Sequence, residues 1–235
     1  MKKFTPKTKT GSGTETAGGT SGPGQLKLNQ KITINIAVLG DPKCGKTSLI
    51  ECFLFGGVSD RYKDTVLNIY QSNITEKRFK IDMNFYDISG YYDRDKDLVN
   101  DYLRVSDIII ICHSFEQDFN EENVNFWLDI VEKNAFRMKG IYLVSTKFDV
   151  KVMMDYQKGA NITTLIFPNG NLHAFGERVK TFINNNMIKE YYIVSSLLNF
   201  NVNELFHSIV KDFVYEFLMA SNKDIYKDSQ NCSIF

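Results

Sequence analysis

The chain has 235 residues, 43% of them hydrophobic and 24% charged, and its 28 basic and 28 acidic side chains cancel. That length suits one α/β domain with tails, and the balanced charge gives no electrostatic case for nucleic acid or an acidic substrate. No apolar run approaches the ~18–20 residues of a membrane-spanning helix, and Met1-Lys2-Lys3-Phe4 is not followed by a signal-peptide core.

Residues 1–29 are rich in Thr, Gly, Ser and Lys, with almost no large apolar side chain before Leu26. Such a stretch cannot offset its ordering entropy and is expected to be a disordered tail. From Ile32 the strand candidates are 32–39, 66–74, 79–87, 107–113, 141–146 and 190–194, and the helix candidates are 46–55, 94–104, 120–137, 174–185 and 202–219. Ile108 to Cys112 and Ile141 to Val144 are continuous apolar runs, as in strands covered by helices on both faces. The segments 66–74 and 79–87 flank a polar turn near Thr75–Arg78 and read as a hairpin. The expected fold is α/β: a doubly wound, mostly parallel six-stranded sheet with one antiparallel edge strand, its ligand loops at the carboxyl ends of the strands. The domain is expected over 30–219, with an extended insert at 151–172 and a flexible tail at 220–235. That insert carries Met153, Met154, Leu165, Ile166 and Phe167, so part of it is expected to pack; a plain loop extension and a partner-binding element both remain open.

Between the first strand and first helix candidates, Gly40-Asp41-Pro42-Lys43-Cys44-Gly45-Lys46-Thr47 matches G-x-x-x-x-G-K-[ST]. In that context, consecutive backbone N–H groups and the positive helix end face a polyphosphate; Lys46 can reach the β- and γ-phosphates and the Thr47 hydroxyl can bind Mg²⁺. Asp41, Lys43, Cys44, Gly45, Lys46, Thr47 and Ser48 are the candidate phosphate residues on this side. Asp87-Ile88-Ser89-Gly90 closes the third strand candidate. Asp87 there can hold Mg²⁺ through water, Thr65 can add a second hydroxyl, and the Gly90 N–H can meet the γ-phosphate. Thr146-Lys147-Phe148-Asp149 ends the fifth strand candidate. A carboxylate at Asp149 accepts from two adjacent donors, which guanine offers and adenine does not. Val194-Ser195-Ser196-Leu197 ends the last strand candidate, where a backbone N–H can bind the guanine oxygen. Each segment is short, but their order after successive strands makes GTP or GDP with Mg²⁺ the expected ligand.

Cys44, Cys52, Cys112 and Cys232 show no paired or metal-ligand spacing. The first three fall in core or site elements and read as reduced cytosolic thiols.

On these residues the chain resembles the Ras superfamily of small GTPases and, within it, the Rho/Rac family, from about Ile32 to Phe217. The Rho-like marks are Gly40-Asp41 with Cys44-Gly45-Lys46-Thr47, the spacing of Tyr62, Thr65, Val66 and Tyr70, Thr146-Lys147, and Phe126-Trp127. The resemblance implies a P-loop small GTPase fold and a switch that cycles between GTP and GDP. It implies Thr65 and Tyr62 in the first switch, Gly90 and Tyr91 in the second, and Lys147 packed on the base beside Asp149, Ser195 and Ser196. It also implies effectors, guanine nucleotide exchange factors, GTPase-activating proteins and a GDP-dissociation inhibitor as partners, with cytoskeletal signalling as the family setting.

The chain departs from that pattern at several positions. Tyr91 stands where the family carries the Gln that orients the attacking water; a phenol is bulkier and its hydroxyl lies farther from the backbone. Pro42 removes one cradle N–H, Lys43 replaces a small residue, and Val58 replaces the Phe that edges the guanine. Ile88-Ser89 stands for the usual Thr-Ala, a conservative packing change, and Asp64, Leu67 and Asn68 differ from the commonest first switch. The expectation is slow hydrolysis with fast exchange. A conventionally cycling switch and a GTP-bound scaffold are the alternatives.

The chain ends Cys232-Ser233-Ile234-Phe235, which fits a C-a-a-X prenylation signal whose Phe favours geranylgeranyl. Lys223 and Lys227 are offset by Asp224 and Asp228, so a prenyl group on Cys232 would act without a basic patch. The expectation is a cytoplasmic protein, partly held at the inner face of the plasma membrane or on endomembranes.

Overall fold

The computed structural model describes residues 30–59, 63–76, 79–116, 119–150 and 172–231. The expectations for the N-terminal tail, Tyr62, nearly all of the insert and Cys232 therefore lie outside the described residues. One sheet carries β1 (Gln30–Gly40), β2 (Leu67–Glu76), β3 (Phe79–Ile88), β4 (Ile108–Ser114), β5 (Gly140–Thr146) and β6 (Ile188–Ile193), in the order β2-β3-β1-β4-β5-β6. Every neighbouring pair is parallel except β2 with β3, so β2 is the antiparallel edge strand of the expected sheet. The described helices are α1 (Lys46–Phe55), α2 (Tyr92–Val105), α3 (Glu121–Asn134), α4 (Leu172–Asn185) and α5 (Val202–Asn231).

The apolar run of β4 serves both faces of the sheet. Ile108, Ile110 and Cys112 join Leu49 and Ile50 of α1 and Phe206, Ile209 and Phe213 of α5 in one core. Ile109 and Ile111 join Leu103 of α2, Trp127 of α3 and Phe182 of α4 in the other. Each such side chain contributes roughly 1.5–3 kcal/mol on burial, which is why a strand covered twice dispenses with polar alternation. β1 also joins both cores, with Ala37 and Leu39 on one face and Ile32, Ile34 and Ile36 beneath α1 and α5 on the other. On the Ala37 face Asn35 donates to Asp107 at 3.0 Å and accepts from Asn84 and Tyr86, both at 2.9 Å.

Several helix bounds differ from the sequence expectation, α4 for instance starting at Leu172 instead of 174. α2 starts at Tyr92 instead of 94, because the Arg94 and Asp95 N–H groups both donate to the Tyr91 carbonyl in a tight turn before a kink at Asp95. α3 stops at Asn134, whose side chain folds back onto the Ile130 carbonyl at 2.8 Å while Ala135 leaves helical geometry. α5 continues to Asn231, beyond 219, since residues 220–231 contain neither Gly nor Pro to end it. None of the described helices is long and apolar enough to cross a membrane.

Candidate functional site

The carboxyl ends of β1, β3 and β5 and the start of α1 meet at one rim of the sheet, and nearly every described site candidate lies there. The loop after β1 turns back on itself. A Cβ on Gly40, where φ is +133°, would lie 2.1 Å from the Cys112 carbonyl oxygen, so only glycine fits. Lys43 adopts φ +64° and Gly45 φ +96°. A lysine held in the left-handed region costs about 1–3 kcal/mol, which the surrounding contacts must offset. The buried Lys46 side chain crosses back under the loop, its Nζ donating to the carbonyls of Gly40 at 2.8 Å and Asp41 at 2.9 Å.

α1 opens with Gly45 at its N-cap, no capping side chain and no acid in its first turn. α3, by contrast, is capped by the Asn120 side chain, which accepts from the N–H groups of Glu122 and Asn123, and carries Glu121 and Glu122 in its first turn. The uncapped, uncompensated start of α1 suits an anion. It faces a pocket of 360 Å³ whose walls include Pro42, Lys43, Gly45, Lys46, Thr47 and Ser48. Thr65, Gly90, Tyr91 and Lys147 complete its lining. Gly90 is pressed against the loop: a Cβ there would lie 2.4 Å from the Pro42 nitrogen.

Beside this pocket the Thr47 hydroxyl donates to Asp87 Oδ2 at 2.7 Å and lies 3.3 Å from the Thr65 hydroxyl. Asp87 is fully buried, and its Oδ1 has no hydrogen-bond partner among the described residues. Burial raises its carboxyl above the ordinary range, with the Thr47 hydrogen bond and the Lys46 charge pulling the other way. An orphaned buried carboxylate oxygen is costly in an apo protein, so the arrangement fits a bound cation. No cluster of three His, Cys, Asp or Glu occurs among the described residues. One carboxylate with two hydroxyls nevertheless fits Mg²⁺, which keeps several waters and takes phosphate oxygens.

A smaller pocket of 100 Å³ adjoins, sharing Gly45, Ser48 and Lys147 and lined further by Val58, Thr146, Asp149, Ser196 and Leu197. Asp149 Oδ1 accepts from the buried Ser195 hydroxyl at 2.5 Å, and Ser195 Oγ accepts from the Leu198 N–H at 3.1 Å, so the carboxylate is aimed by a held neighbour. Lys147 adopts φ +57° and its ammonium pairs with Glu116. The Thr146 hydroxyl donates to the Cys44 carbonyl, bracing the phosphate loop from β5.

Asp41, Cys44, Asp87 and Ser195 line neither pocket; Asp87 and Ser195 instead hold Thr47 and Asp149, which do. The Asp41 carboxylate turns to α3, accepting from Asn123 Nδ2 at 2.9 Å and Trp127 Nε1 at 3.1 Å. The Cys44 thiol is buried behind the loop, where burial raises its pKa. Tyr91 is 39% exposed, and the Arg94 guanidinium lies 4.7 Å from its ring centroid while pairing with Asp95 at 2.8 Å. Neither the anchoring of Asp41 by α3 nor the Arg94 stack is read from the sequence. The second had a signal, the three-residue spacing of Tyr91 and Arg94 beside a helix start. The first joins residues more than eighty apart and had none.

Residues 35–215 match the Ras family. The chain is 25% identical over 189 residues to the Rho-related protein racI of Dictyostelium discoideum, covering 79% of this chain and 89% of that one. It is 26% identical over 108 residues to the Rho-related GTP-binding protein RhoF of Mus musculus, covering 46% of this chain and 51% of that protein. It is 30% identical over 124 residues to the GTP-binding protein RHO3 of Saccharomyces cerevisiae (strain ATCC 204508 / S288c), covering 52% and 53%. The chain thus spans nine tenths of the first relative and about half the length of the other two.

Proposed function

The chain belongs to the Ras family and is Rho-like within it, and on that premise we propose that it is a guanine-nucleotide switch that exchanges readily, hydrolyses GTP slowly and signals through its two switch loops. The observation that carries this reading is the meeting of Lys46, Thr47, Thr65 and Gly90 around one pocket with Asp149 in the adjoining one. Lys46 and the N–H groups at the start of α1 hold the phosphates. Asp149, aimed by Ser195, accepts from the guanine ring, and the Lys147 stem covers the base. Magnesium, when bound, would supply positive charge to offset that of the phosphates; Thr47, Thr65 and, through water, Asp87 are the residues that would hold it. Thr65 and Gly90 sense the γ-phosphate and order the two loops for effectors.

Tyr91 supports slow turnover, since its ring stacks with Arg94 at the pocket wall where a flexible amide would orient water. Val58, with less contact area than an aromatic ring, supports fast nucleotide release. Exchange factors, activating proteins and a GDP-dissociation inhibitor are the partners of such a switch, and prenylation of Cys232 would give it reversible membrane residence.

The test is the nucleotide that co-purifies with the full chain, followed by single-turnover hydrolysis of the parent and Tyr91→Gln. Bound GTP, and a rate that rises about tenfold or more in Tyr91→Gln, support the reading. Bound ATP overturns the guanine assignment. Bound GDP, with a rate indifferent to the substitution, leaves an ordinary cycling switch.

A further inference from the structure

The second-switch segment after β3 is tied to itself through one serine. Ser89 is fully buried, and its hydroxyl accepts from the Tyr91 N–H at 3.1 Å and from Arg94 Nη2 at 3.4 Å. The Ser89 N–H donates to the Val66 carbonyl at 3.0 Å, which fixes the serine beside the start of β2. The Tyr91 carbonyl accepts from the N–H groups of Arg94 and Asp95 at 3.2 and 3.1 Å. The Arg94 guanidinium lies over the Tyr91 ring, while its Nη2 donates to Asp95 Oδ2 at 2.8 Å and its Nε to Oδ1 at 3.2 Å. Hydrogen bonds from Arg94 and Ser89 hold the Asp95 carboxyl below its ordinary range. Ser89 and Tyr91 stand where the family pattern has Ala and Gln. Alanine has no oxygen for these two donors, and glutamine has no aromatic face for the guanidinium. The serine therefore does more than pack, and the two departures belong to one clamp.

Gly90 is the residue between the two clamped ones. A Cβ on it would stand 2.4 Å from the Pro42 nitrogen and 2.6 Å from the Asp41 carbonyl carbon. Its peptide is thus held on both sides in sequence and pressed against the phosphate loop from β1. Gly90 and Tyr91 both line the phosphate pocket, together with Thr47 and Thr65. Taken singly, an exposed ion pair or a cation over a ring is a weak contact. Here they share members, since the Ser89 hydroxyl and the Arg94 guanidinium each serve more than one partner, so the segment orders as a unit. Every contact in the set runs within the chain and uses no group of a nucleotide. A donor on such a segment receives its ligand without the ordering cost that a loose loop imposes.

We propose that Ser89, Arg94 and Asp95 are positioning residues that act through Tyr91: they set the Gly90 peptide for the γ-phosphate before the nucleotide binds, and so favour GTP over GDP. This rests on the guanine-nucleotide reading above, in which the Gly90 N–H meets the γ-phosphate, and deepens it by naming what sets the preference between the two nucleotides. GDP has no γ-phosphate and does not draw on the clamp, whereas GTP does, so the clamp shifts the ratio of the two affinities. The second switch then changes less between the two forms than the first switch, which carries Thr65. Slow cleavage at Tyr91 and tighter binding of GTP act in the same direction, towards a protein that stays loaded with GTP.

Two measurements on the full chain with Mg²⁺ test this: the affinities for GDP and for the β,γ-imido analogue of GTP, and amide hydrogen exchange over residues 89–95 in the GDP form. Ser89→Ala, Arg94→Ala and Asp95→Asn are each expected to weaken analogue binding about threefold to tenfold, with GDP affinity changed less than about twofold. Exchange over 89–95 is expected to be slow in the GDP form of the parent, about tenfold faster in the variants, and slowed again when the variants take up the analogue. Tyr91→Phe keeps the ring and should keep the slow exchange, whereas Arg94→Lys loses the planar fork and should not. Affinities for GDP and the analogue that fall in parallel mark a merely structural role and overturn the proposal. So does a GDP form of the parent that exchanges as fast as Arg94→Ala. A parent that binds no guanine nucleotide fails at the earlier reading; one that binds both, in a ratio indifferent to these substitutions, fails at the clamp alone.

Discussion

To hold a metal as proposed, Asp87 would have to be an anion in a place that penalises anions. It is fully buried, one oxygen is held by Thr47 and the other has no partner among the described residues. Its folded pKa is raised, so its contribution to the stability of the metal-depleted chain is fully present below the ordinary carboxylate range and is lost as pH rises through the raised value. Metal binding has the opposite sign, because it needs the ionised form, and should weaken as pH falls through that same value. Asp87→Asn is therefore expected to stabilise the metal-depleted chain by about 1 kcal/mol near neutral pH while abolishing the Mg²⁺ dependence of nucleotide affinity. Thermal melts in chelator from pH 4 to 7, beside GDP titrations with and without Mg²⁺, read both effects. At Asp149, replacement by Asn removes the double acceptor and should weaken GDP binding at least a hundredfold, measured by competition with a fluorescent GDP. These residues are legible in the sequence because each serves a local motif: a glycine-bounded loop, or a carboxylate after a strand. The turn of Asp41 towards α3 is not legible, since a carboxylate next to a phosphate loop has no local signal that a distant indole will claim it.

Among the elements, the strands follow from apolar runs and their helical cover, and β4 and β5 lie within a residue of their expected bounds. The continuation of α5 to Asn231 was less legible, because a polar stretch carries the same composition whether helical or extended. β4, β5 and β6 are also tied by a partly buried polar link: the Ser145 hydroxyl meets His113 Nε2 on β4 and lies 2.6 Å from the Tyr191 hydroxyl on β6. Burial lowers the His113 pKa to about 4. The neutral ring therefore adds stability that is present above the unfolded value of about 6.5 and is lost as pH falls towards 4. His113→Phe should flatten the stability profile over that window in urea titrations. Ser145→Ala removes a hydrogen-bond partner from two partly buried groups and should cost about 1 kcal/mol by the same measurement.

For the whole molecule, sheet order and ligand site are one fact. The glycine-bounded loop, the Asp87 segment and the proposed base-reading residues follow different strands, and the parallel order β3-β1-β4-β5 brings their carboxyl ends to one rim. The doubly wound class was readable from alternating elements; which strand lies beside which depends on long-range pairing that local propensity does not encode. A ligand bridging these strands should stabilise the fold cooperatively. GDP with Mg²⁺ at a hundred times its Kd is expected to add about 2.7 kcal/mol and to raise Tm by roughly 5–10 °C, a gain that chelation reverses in a thermal scan. The chain holds a single tryptophan, and Trp127 is hydrogen-bonded to Asp41 of the phosphate loop while its ring lies edge-on to Tyr92, 6.2 Å away on α2. The molecule's one indole chromophore thus touches both the glycine-bounded loop and the helix after the Asp87 segment. On the proposed reading its ultraviolet emission is expected to change on nucleotide loading and release, a built-in, label-free readout.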